Sequence, residues 1–184
     1  MKQLGTSFRN IRFELYMVNR IHRLFPQNNA TVLDVGAGAG KYARLLKGRV
    51  ARIDAVEVFE EAISANKLHY IYDNVYCADI RDFECSPYIY DIIIMGDVLE
   101  HLSVEDSKRV LEYLLPRCAE IFIVVPYLYE QDAINNNEAE IHLQPDLTHK
   151  LFMQCYAALG LECLFHTNTQ GIYVKRGNNY AGIR

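Results

Sequence analysis

The runs YDIIIMG (residues 90–96) and EIFIVV (residues 120–125) are nearly all apolar, yet each is too short for a buried helix. Strands with apolar side chains on both faces must be covered on both faces, as in a parallel sheet held between two helical layers. The rest of the chain fits that requirement. ATVLDV (30–35), VARIDAVEV (50–58) and NVYCADI (74–80) read as further strands. KYARLL (41–46), FEEAISANKL (59–68) and SKRVLEYLL (107–115), the last entered through a capping box from Ser103 to Asp106, read as helices between them. This alternation predicts an α/β three-layer sandwich built on a seven-stranded, mainly parallel sheet. A helix over 148–159 precedes LECLFHT (161–167) and GIYVKR (171–176). The polar link between those two is so short that they must form an antiparallel C-terminal hairpin.

Residues 7–25 place Phe8, Ile11, Leu15 and Val18 at helical spacing ahead of the first strand. The stretch at 79–90 is too short for a full crossover helix, so a turn at Ser86 and Pro87 is expected there with the helix reduced or absent. With 184 residues, 51% hydrophobic and 23% charged, and with no low-complexity tract, residues 1–184 read as a single domain. Within it lie an N-terminal helix over 1–28 that could act as a lid, a core over 30–176 and a tail over 177–184. The net charge of −4 gives no signal for nucleic-acid binding. The N-terminus holds no apolar run long enough for a signal peptide or membrane span. Five scattered cysteines without a C-x-x-C pair suggest reduced thiols in a cytoplasmic protein.

The most informative loop is DVGAGAGKY, where the first strand breaks into three glycines. A triphosphate-binding loop needs four residues between its glycines and a Ser or Thr after the lysine; here three residues separate Gly36 from Gly40, and Tyr42 follows Lys41. A dinucleotide site needs G-x-G-x-x-G, and here the third glycine comes one residue early. Glycines that serve only a tight strand-to-helix turn are a third explanation.

VLDVGAGAGKY resembles the first motif of the class I S-adenosylmethionine-dependent methyltransferases, an acidic residue followed by G-x-G-x-G. Three further features lie in register with it. Glu57 ends the second strand, about 20 residues after the glycines, where an acid can bond both ribose hydroxyls. Asp79 and Ile80, in CADIRDF, match the family's adenine contacts. Gly96 and Asp97, in DIIIMGDVLEHL, match the strand end that lies under the methionine part of the cofactor. The resemblance therefore implies a Rossmann-like methyltransferase fold, S-adenosyl-L-methionine as cofactor, and contacts from Asp34, Gly36, Ala37, Gly38, Glu57, Val58, Asp79, Ile80, Gly96 and Asp97. Asp34 would orient the methionine end, directly or through water.

Methyl transfer to an acceptor is an in-line displacement that depends mainly on placing the reactants, so a catalytic residue is not obligatory. His101 and His142 are the candidates for a general base, because imidazole titrates near neutral pH. Glu138, Glu140, His142 and His149 match no standard metal-binding spacing, and no metal is expected. With no inserted substrate domain, the expected acceptor is a small molecule, and no membrane or nucleic-acid partner is expected. The alternatives are a cofactor- or partner-binding protein of the same fold without turnover, and an NAD-dependent oxidoreductase.

Overall fold

The computed structural model describes residues 4–85, 89–134 and 137–176, with the backbone alone for 4–12. Its strands are β1 (Thr31–Val35), β2 (Arg52–Glu57), β3 (Asn74–Cys77), β4 (Tyr90–Gly96), β5 (Cys118–Pro126), β6 (Glu162–His166) and β7 (Gln170–Arg176). They form one sheet in the order β3-β2-β1-β4-β5-β7-β6. The first five strands pair in parallel, while β7 runs antiparallel to both β5 and β6. The mainly parallel sheet and its antiparallel hairpin therefore both follow the expected pattern.

The apolar strands alternate face by face. Leu33, Ile93, Met95, Ile121 and Ile123 join one core cluster, and Val32, Ile92, Ile94, Phe122 and Val124 join the other. Helices α4 (Val104–Leu114) and α5 (His149–Tyr156) cover the first face through Val110, Leu111, Leu114, Phe152 and Tyr156. Helices α1 (Leu4–Leu24), α2 (Lys41–Leu46) and α3 (Glu60–Ala65) cover the second. Both faces of β4 and β5 are thereby dry, which is why those strands carry apolar side chains continuously.

Local signals set several boundaries. The Ser103 hydroxyl accepts from the Asp106 N–H at 3.0 Å and opens α4, and the Thr148 hydroxyl accepts from the Leu151 N–H at 3.2 Å to open α5. β2 and β3 are shorter than expected. The chain leaves the sheet after Cys77 because Asp79 builds a turn: its Oδ1 accepts from the Arg81 N–H at 2.8 Å. No helix joins β3 to β4 among the described residues, as the short segment implied. The Ser86–Pro87 turn and the 177–184 tail lie outside the described residues. Among the described residues, no helix is long and apolar enough to cross a membrane.

α1 is a packed layer of this core along its second half. Met17 is fully buried, Phe13 meets Phe122 edge-on at 6.2 Å, and Arg20 grips the buried Glu120 carboxylate at 3.1 Å. Met17→Ala should therefore lower unfolding free energy by about 2–5 kcal/mol in urea titrations. Leu15→Ala, on the exposed side of the same helix, should change it by no more than about 0.5 kcal/mol. Equal effects at the two positions would show that the helix is not docked this way.

Candidate functional site

Ligands in open parallel sheets bind beyond the carboxyl ends of the strands, and a cavity of about 370 Å³ opens there. The register makes it possible. Val35 pairs with Val56 and with Met95, so the residues following β1, β2 and β4 emerge at one level. Gly36, Ala37, Gly38, Glu57, Val58, Asp79, Ile80, Gly96 and Asp97 all line the cavity, as does His101.

The three loop glycines adopt positive φ, and Gly36 has a second constraint: a Cβ there would collide with Val98 Cγ2. Gly96 has no unusual φ, but the buried Tyr42 hydroxyl occupies the space a Cβ would need. Loop and strand end are thus pressed together by the aromatic ring that opens α2. Glu57 fastens the loop, its Oε2 accepting from the Gly38 N–H at 2.8 Å and its Oε1 from the Phe59 N–H at 3.0 Å. A carboxylate has about four acceptor sites, so two such bonds leave capacity for a ligand.

Asp79 receives the Arg81 guanidinium, with Nε 3.0 Å from both oxygens, and this pairing holds its carboxyl below the usual range. Asp97 has a left-handed backbone (φ 56°), uncommon for a residue with a side chain and often found at functional sites. Its carboxyl opens to the cavity, and partial desolvation beside the cavity walls raises its pKa.

Asp34 and His142 do not line the cavity. Asp34 is sealed beneath the glycine turn, fully buried, with Oδ2 accepting from the Tyr72 hydroxyl and Oδ1 without a partner among the described residues. His142 is buried behind His101, the two rings meeting edge to face with centroids 4.6 Å apart. Burial, and then the neighbouring His142, lower the His101 pKa. Glu100, buried beside them, is pushed well above the ordinary carboxylate range by burial and then by Asp97.

Further contributors escaped the sequence reading as site residues. Lys41 and Tyr42 line the cavity, and their adjacency to the third glycine was the available signal. Lys41 also pairs with Glu14 of α1 at 3.1 Å, tying that helix to the rim. Arg81 could have been suspected from its position after Asp79. Glu140, with Asn137 and Ala139, reaches the cavity from the long connection after β5, where no local pattern marked it.

Burial pushes the Asp34 carboxyl from 3.8 up to about 7. Between those values the folded protein retains a proton that the unfolded chain has released. The stability contributed by this group is therefore complete below about pH 4 and is lost as pH rises towards 7, at up to about 1.4 kcal/mol per pH unit. Asp34→Asn removes the titration, so its melting temperature should rise relative to the parent between pH 5 and pH 8. A difference that stays constant across that range would show that Asp34 does not titrate there.

Residues 8–139 match a family model described as a methyltransferase domain. No curated protein sequence matches the chain. Among solved structures, the plantazolicin methyltransferase BpumL in complex with SAH (S-adenosylhomocysteine) superposes with a TM-score of 0.70 at 18% identity, covering 95% of this chain and 86% of that one. An S-adenosylmethionine-dependent methyltransferase from Clostridium acetobutylicum ATCC 824 gives 0.64 at 13% identity, with 94% and 98% covered. The N-terminal domain of EvdMO1, in the presence of SAH and D-fucose, gives 0.66 at 16% identity, with 90% and 83% covered. These likenesses establish the fold, and the family match spans well over half of the chain. This chain therefore belongs to the methyltransferase-domain family and has the Rossmann-like fold of class I, S-adenosylmethionine-dependent methyltransferases.

Proposed function

We propose that this chain transfers a methyl group from S-adenosylmethionine to a small-molecule acceptor. The observation that carries the reading is the convergence of the ends of β1, β2, β3 and β4 on one cavity, each bringing residues its motif implied, Asp34 of β1 excepted. In this reading Glu57 accepts the ribose hydroxyls, with Val58 beside it. Asp79 and Ile80 take the adenine, while Gly36, Ala37 and Gly38 leave backbone room for the methionine portion over Gly96 and Asp97. Asp34 acts from below the loop by holding its shape, with its Oδ2 bonded to the Tyr72 hydroxyl, rather than by contact with the donor. The donor carries a sulfonium and an ammonium group, and the walls suit cations: Glu57, Asp79, Asp97 and Glu140 face the cavity against Lys41 and Arg81.

The acceptor side is formed by His101, Asn137, Ala139 and Glu140, a polar edge contributed by the chain's own connection after β5. A site of this size, within the range of small-molecule pockets, favours a compact acceptor. All five cysteines are free, consistent with the reducing cytoplasm we assign to the protein.

Calorimetric titration should show S-adenosylmethionine and S-adenosylhomocysteine binding one per chain and NAD not binding. Binding of NAD alone would overturn the reading. Glu57→Ala should weaken S-adenosylhomocysteine binding by about 1.5–3 kcal/mol, the range for hydrogen bonds to a charged group. An unchanged affinity would remove Glu57 from the ribose site. Methyl transfer from labelled cofactor to a panel of small hydroxyl, amine and carboxyl compounds, with a polynucleotide included, tests the acceptor class; label found only in the polynucleotide would overturn it.

A further inference from the structure

Beside the cavity lies a cluster that no metal-binding spacing in the sequence marks. One ligand-capable atom from each of Glu100, His101 and His142 lies within 4.8 Å of the other two. Adjacent ligand atoms on a first-row metal ion at 2.0–2.2 Å stand about 2.8–3.6 Å apart, so closure needs the three side chains to draw together by at most roughly 2 Å. The cluster contains an unsatisfied group: Glu100 is 1% exposed, and its Oε2 has no hydrogen-bond partner among the described residues. An orphaned carboxylate oxygen in that position is costly unless something binds it.

The two imidazoles are oriented for coordination. His142 Nδ1 lies 2.7 Å from the Tyr129 carbonyl oxygen, and His101 Nδ1 lies 3.3 Å from the Ile141 carbonyl oxygen. A carbonyl only accepts, so each Nδ1 carries the hydrogen and each Nε2 keeps its lone pair, the arrangement found for metal-binding histidines. The cluster is also held together by backbone. The Leu143 and Gln144 N–H groups donate to the Glu100 carbonyl at 2.9 and 3.1 Å, and Gln144 Nε2 donates to the Leu99 and Leu102 carbonyls. Thus the connection after β5 brings His142 to the turn that carries Glu100 and His101.

We propose that Glu100, His101 and His142 bind a divalent first-row transition ion whose open positions face the acceptor side of the cavity. Two imidazoles and one carboxylate suit manganese, cobalt, iron or zinc, whereas magnesium and calcium favour all-oxygen sites. His101 lines the cavity and connects the ion to the acceptor. This deepens the proposed methyl transfer and rests on it for its chemical role: the acceptor group is a hydroxyl, which the ion orients and acidifies. The hydroxyl oxygen then bonds to the methyl carbon as the carbon–sulfur bond breaks. The electron pair of that bond stays on sulfur, and the hydroxyl proton passes to water at the cavity mouth.

The test uses the full chain, freed of metal by chelation and dialysis. Titration with Mn²⁺, followed by electron paramagnetic resonance, should show one ion bound per chain, and Co²⁺ should give absorption bands of a nitrogen-ligated site. Glu100→Gln and His142→Asn should each weaken Mn²⁺ binding at least tenfold. Their S-adenosylhomocysteine affinity, measured in parallel, should stay within twofold of the parent; because neither residue lines the cavity, this also reports that the variants are folded. His101→Asn provides a third variant with the same expected loss of Mn²⁺. Parent protein that binds S-adenosylhomocysteine but none of Mn²⁺, Co²⁺ or Zn²⁺ overturns the metal site alone. Metal binding unchanged in all three variants overturns it as well. Metal binding that is lost in the variants, in a protein that never binds S-adenosylhomocysteine, supports the site and overturns the cofactor reading instead.

Discussion

The parallel pairing of β1 with both β2 and β4 is the constraint on which the rest depends. Val35 lies opposite Val56 on one side and Met95 on the other, so three strands end at one level and their following residues open onto the same cavity. A slip of one residue would exchange the two faces of β1, sending Leu33 and Val35 to the side now occupied by Val32. The hydrophobic alternation that separates the two cores therefore also aligns Gly36, Glu57 and Gly96. Packing and site geometry have a common origin here.

What could be read from the sequence was what depends on neighbouring residues. The apolar central strands, the Ser103 cap, the hairpin and the missing β3–β4 helix all follow from local pattern and segment length. The glycine loop with Glu57, Asp79 and Gly96 was legible because each residue sits at a strand end. Asp34 was harder, because its environment is made by Tyr72, which arrives from the turn before β3 and bonds it out of the cavity. His101 and His142 stood out singly, but their grouping with Glu100 was not legible, for the same kind of reason. His142 belongs to an irregular connection whose course is set by hydrogen bonds to the Glu100 carbonyl, and no spacing rule describes such contacts.

Two levels of electrostatics meet in this molecule. Charges facing the cavity are exposed to a ligand or hydrogen-bonded at its edge, as with Glu57 and the Asp79–Arg81 pair. Charges beneath it are desolvated, as with Asp34 and Glu100, whose carboxyls are both driven towards the neutral form. A buried acid contributes little by packing and is costly when ionised, so each has to be understood through what lies across from it. For Asp34 that neighbour is Tyr72. For Glu100 it is the pair of histidines.

The position of β7 between β5 and β6 has a consequence for how the molecule is assembled. β5 is the most continuously buried strand, yet its outer edge is paired by β7, the last strand to emerge during synthesis. Until then β5 presents unpaired N–H and C=O groups along an apolar ribbon, the kind of edge that recruits other chains. The nascent sheet can complete β3-β2-β1-β4 early, but it must wait for the hairpin to protect its most aggregation-prone edge. Truncation within the hairpin would therefore damage solubility before it damaged the cavity, which is built from the opposite half of the sheet and the connection after β5.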